Sequence, residues 1–121
     1  MKQKIVGVFP CGFEDIQIVL REGTGGEFYN RPGKGEIPRM KLGADDTWEM
    51  LVSSFIHEAF EFMMMRLKCR YQDNYAHVLE SSGYLFVMDH VTFSDVCSRV
   101  GQCATNALPA LCIEYRKWNK K

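Results

Sequence analysis

The sequence predicts an α+β domain in which a small antiparallel sheet of three to five short strands packs against two long helices. Three observations predict it. Residues 1–44 break into short alternating segments separated by Gly- and Pro-containing turns. Apolar residues then recur at helical spacing through residues 45–71, and again through residues 92–118 after a compact apolar strand at 83–89. Strands, helix, strand, helix is an order that lays helices over one sheet face. With 121 residues, one domain with one core is expected over residues 1–121.

Lys4 to Phe9 is β-rich, and Ile16, Ile18 and Leu20 alternate with Gln17, Val19 and Arg21 as a strand with one buried face does. Gly23-Thr24-Gly25-Gly26 is a turn, and Glu27 to Asn30 reads as a short returning strand. Arg31-Pro32-Gly33-Lys34-Gly35 is a second turn, and Glu36 to Leu42 alternates again, with Pro38 favouring an edge position. The Gly-rich turns do not form a phosphate loop, because Gly35 follows Lys34 where Ser or Thr is required. Asp46 and Glu49 have the spacing of a capping box. Trp48, Leu51, Val52, Phe55, Ala59, Phe62 and Met63 then form a broad apolar face, widened by Ile56, Phe60, Met64 and Leu67. Thr92 and Asp95 mark the second helix start, Phe93, Val96, Val100, Cys103, Ala104, Ala107 and Leu108 its buried stripe, and Pro109 a kink.

Composition removes several function classes. A net charge of zero offers no surplus of cations for a phosphate backbone, so no nucleic-acid partner is expected. Arg116, Lys117, Lys120 and Lys121 read as a solvated helix end. Five cysteines without a Cys-x-x-Cys motif point to free thiols in a cytoplasmic protein rather than to disulfides or a thiolate zinc site. The apolar stretch Ile5 to Phe9 is too short for a secretory signal, and no run approaches the ~18 apolar residues of a membrane span, so no membrane partner is expected. Met63-Met64-Met65 runs around a helix rather than along it, which suits core packing better than soft-metal ligation.

One stretch carries possible chemistry. His57 and Glu61 lie at i and i+4 within the first helix, so they project from one face, with Glu58 beside them. The pattern His-Glu-x-x-Glu differs from the His-Glu-x-x-His zinc motif at its second ligand position. A carboxylate there can hold zinc and also suits manganese. On this reading His57 and Glu61 are metal ligands and Glu58 is a catalytic general base, the metal-bound water being the nucleophile. His90, fixed between strand and helix, is the favoured third ligand over His77. The alternative is a buried hydrogen-bonded network of the same side chains without metal.

The stretch Leu42 to Trp118 resembles a group of small, uncharacterised proteins encoded by bacteriophages, prophages and other mobile elements. Asp46-Thr47-Trp48, the helix Ser53 to Glu61 with His57, Glu58 and Glu61, Cys69-Arg70-Tyr71, Gly83-Tyr84-Leu85-Phe86-Val87, His90 with Phe93, and Ala107-Leu108-Pro109-Ala110-Leu111 carry the resemblance. It implies that Glu61 is native at its position and that the layout is similar to minimal zincins. The expectation is therefore an accessory protein of phage or mobile-element origin with a protein-binding or structural role, in which His57, Glu58, Glu61 and His90 form a buried polar network. The alternative is a degenerate zincin-like metallohydrolase.

Overall fold

A computed structural model describes residues 2–30, 35–72 and 84–120. Strands β1 (Gln3–Cys11) and β2 (Glu14–Arg21) form an antiparallel hairpin, with a bulge between Ile5 and Gly7. The next strand in the chain, β3 (Gly26–Tyr29), is followed by β4 (Arg39–Gly43), and the sheet order is β1-β2-β4-β3. The sheet is mixed rather than purely antiparallel: β4 returns between β2 and β3, parallel to β2, with Met40 opposite Ile18 and Leu42 opposite Leu20. The α+β class stands: the described residues also form helices α1 (Trp48–Arg66) and α2 (His90–Asn119) and a separate antiparallel pair of β5 (Arg70–Gln72) and β6 (Tyr84–Phe86).

The edge position expected near Pro38 is overturned, since β4 is an inner strand. Pro38 lies one residue before the strand, where its missing N–H costs no ladder bond, and its carbonyl accepts from the Gln17 N–H at 2.9 Å. At the other end of β4 the turn after β2 folds back so closely that a Cβ on Gly43 would lie 2.4 Å from the Gly23 carbonyl oxygen. Asp46 does not cap α1 as expected, and neither does Asp45. Their carboxylates accept from the Gly23 and Gly25 N–H groups at 2.6 and 2.7 Å, pinning that turn. Thr47 is the cap instead, its hydroxyl accepting from the Met50 N–H at 3.3 Å.

One sheet face and both helices enclose the core. Ile16, Ile18 and Leu20 of β2 and Met40 and Leu42 of β4 are fully buried. Helix α1 brings Leu51, Phe55, Ala59, Phe62 and Met63 to them, and α2 brings Val96, Val100, Cys103, Ala107 and Leu111. Both sets recur at three- and four-residue intervals, which is what holds one helix stripe against the sheet. Each fully buried Leu or Phe contributes about 1.5–3 kcal/mol. Phe28 stacks on Phe62 with centroids 4.4 Å apart, and Tyr115 ties α2 to the start of α1 by donating to the Asp46 carbonyl at 2.7 Å.

Helix α2 begins earlier than expected and runs through Pro109 without restarting. Asp89, rather than Thr92, is its cap, accepting from the Thr92 N–H at 2.8 Å. Pro109 removes one backbone hydrogen bond at an exposed position of the helix. All five cysteines are free thiols. Among the described residues, no helix is long and apolar enough to cross a membrane.

Candidate functional site

Three residues of α1 separate by direction, as steps of roughly 100° require. His57 points to solvent, its side chain 69% exposed, and its Nε2 lies 3.3 Å from Oε2 of Glu61, which is 25% exposed. Glu58 turns toward β3. A Cβ added to Gly26 would come within 3.4 Å of the Glu58 Cγ and 3.2 Å of the Ser54 Cβ, so the glycine is what lets this helix face approach the strand. Half-burial there pushes the Glu58 carboxyl above the ordinary carboxylate range, the neighbouring His57 opposes the shift, and the charges of Glu61 and Glu27 add to it.

The expected pairing of His57 with Glu61 is therefore present, but the expected burial is not. No polar or charged side chain among the described residues is buried. Apolar side chains do not close over His57: Ile56, expected to widen the buried face, is 42% exposed. The expected convergence with His90 also fails. That residue is the exposed first residue of α2, and no three His, Cys, Asp or Glu side chains among the described residues group in a way that could hold a metal ion. With Asp89 as cap, His90 sits where the chain enters α2, as expected, but on its exposed opening turn. His77 lies outside the described residues.

A different feature dominates the junction between β6 and α2. Phe86 is 40% exposed, Val87 57%, Val91 76% and Phe93 49%, four large apolar side chains within eight consecutive residues. Phe93 was expected in the buried stripe, yet the fully buried part of that stripe begins at Val96. The backbone carrying the group is held by the Asp89 cap, whose carboxylate lies below the ordinary range because it accepts the Thr92 backbone and side-chain hydrogen bonds. Val87 donates its N–H to the Cys69 carbonyl at 2.8 Å, which ties the same segment to the end of α1. Asp89 three residues ahead of Thr92 is the sequence signal that places the helix start, and with it the exposure of Val91.

The described residues thus define an α+β protein with a mixed four-stranded sheet, two core helices and exposed apolar side chains at the junction of β6 and α2. No protein-family model, curated protein or solved structure matches the chain at a significant level.

Proposed function

We propose that this protein is an accessory factor of phage or mobile-element type that works by binding another protein through the apolar junction around Phe86, Val87, Val91 and Phe93. The observation that carries the reading is the exposure of those four side chains on a backbone held by a helix cap and a strand. Single exposed apolar residues are ordinary, whereas four large ones exposed within eight consecutive residues favour an interaction surface. Burying it against a partner stabilises the complex by roughly 25 cal/mol per Å² of apolar area removed from water. Co-purification from cells that carry the protein tests this. Val91→Asp with Phe93→Asp should release a partner that the wild type retains, with the thermal midpoint unchanged. Retention of the same partner by the double variant would refute the assignment.

A second reading, a degenerate zincin-like metallohydrolase, is favoured by one observation: His57 and Glu61 are already paired, and Glu58 beside them has a raised proton affinity suited to a base. The fit is partial. Zinc or manganese would find two ligands on α1, and His90 does not supply a third. Metal analysis of protein purified without chelator decides this reading. Near-stoichiometric zinc or manganese that is lost in His57→Ala would support it, and protein free of both would not.

A further inference from the structure

The turn between β1 and β2, the last turn of α1 and the third turn of α2 leave a cleft of about 290 Å³. Its walls are Phe13, Glu14, Met63, Arg66, Leu67 and Arg99. The cleft exists because Gly12, at φ 71°, turns the hairpin tightly against α1. A Cβ there would meet the Met63 sulfur at 2.8 Å. The turn leaves Phe13 87% exposed, an unusual cost for a phenyl ring, and lays it under the Arg99 guanidinium at 3.7 Å.

Both arginines are held in the same way. Arg66 gives its Nε to Glu14 at 2.5 Å and stacks over Phe62 at 4.8 Å. Arg99 gives its Nε to Asp95 at 3.0 Å and stacks over Phe13. A guanidinium has five N–H donors, so binding through Nε orients the group and leaves terminal donors. Arg66 spends one terminal nitrogen on the Asn30 carbonyl at 3.4 Å. Among the described residues no hydrogen bond engages the terminal nitrogens of Arg99. The cleft therefore combines an apolar slot, formed by Phe13, Met63 and Leu67, with two preset planar cations at its mouth.

We propose that this cleft binds a small organic carboxylate with a flat apolar body. The carboxylate matches the planar fork of a guanidinium, which a rounder anion does not. The apolar body fits between the phenyl ring and the methionine and leucine side chains, and the volume is near the lower end of small-molecule sites. Glu14 is an internal competitor in this arrangement, because it already occupies part of Arg66.

Benzoate is the probe, followed by ligand-observed NMR and by titration of the amide signals of the whole chain. Benzoate should bind and shift the amides of residues 12–14 and 99, and benzyl alcohol and inorganic phosphate should each bind at least about tenfold more weakly. Arg99→Met should weaken benzoate about tenfold, Arg99→Lys should weaken it despite keeping the charge, and Arg116→Met, at the far end of α2, should change nothing. Glu14→Gln should tighten binding. Absence of benzoate binding at millimolar concentration, equal binding of phosphate, or full affinity in a folded Arg99→Lys variant would each overturn the proposal.

Discussion

Helices α1 and α2 each present an exposed group to solvent, and the two groups differ in what exposure costs them. On α1 the group is His57 with Glu61, polar side chains at little expense in water, beside Glu58, which is half-buried against β3. On α2 and the strand before it the group is Phe86, Val87, Val91 and Phe93, whose hydration is unfavourable. An exposed polar arc needs no further explanation, whereas a fixed apolar one does.

The largest expected effect lies on neither group but on the face beneath the first. Phe55→Ala empties a fully buried site and should lower stability by about 3–5 kcal/mol in urea unfolding. Val91→Asp with Phe93→Asp should leave that midpoint nearly unchanged, since both positions are exposed, while abolishing partner retention. If instead the double variant unfolds as Phe55→Ala does, the junction is part of the core and the comparison fails. Thr47→Ala removes the α1 cap and should cost about 1 kcal/mol.

Glu58 sharpens the comparison through pH. Its folded-state proton affinity is raised, so folding favours the neutral form. Its contribution to stability is therefore fully present below the unfolded carboxylate range and is lost as pH rises through the folded value. Glu58→Gln should be more stable than wild type at neutral pH, with the gap closing on acidification. A gap independent of pH would contradict the half-buried placement. The smallest effect is His57→Ala, which should change stability by no more than about 0.5 kcal/mol, because the ring is largely in water and its ion pair is a surface one. A loss of several kcal/mol would restore the buried network.

The parts of the fold governed by short-range periodicity were legible in the sequence. Alternation in Ile16, Ile18 and Leu20 marked the inner face of β2, and the spacing of Leu51, Phe55, Ala59 and Phe62 marked the inner face of α1. The i, i+4 neighbourhood of His57 and Glu61 followed from helix geometry alone. Long-range placement was not legible. The parallel pairing of β2 with β4 depends on where β3 lies between them in the chain, and alternation carries no strand direction. Asp46 looked like a cap because of its spacing to Glu49, but the glycine turn at residues 23–25 took both it and Asp45. The expected link from His90 to α1 was a guess about tertiary distance, and exposure of Phe93 followed from where the helix stripe meets the core rather than from the stripe itself.

Hydrogen exchange of the protein, alone and with its co-purified partner, compares the two regions in one measurement. Protection on binding should concentrate at residues 86–93, with residues 57–61 exchanging as they do in the free protein. Protection confined to 57–61, with 86–93 unaffected, would contradict the assignment of the binding surface to the junction of β6 and α2.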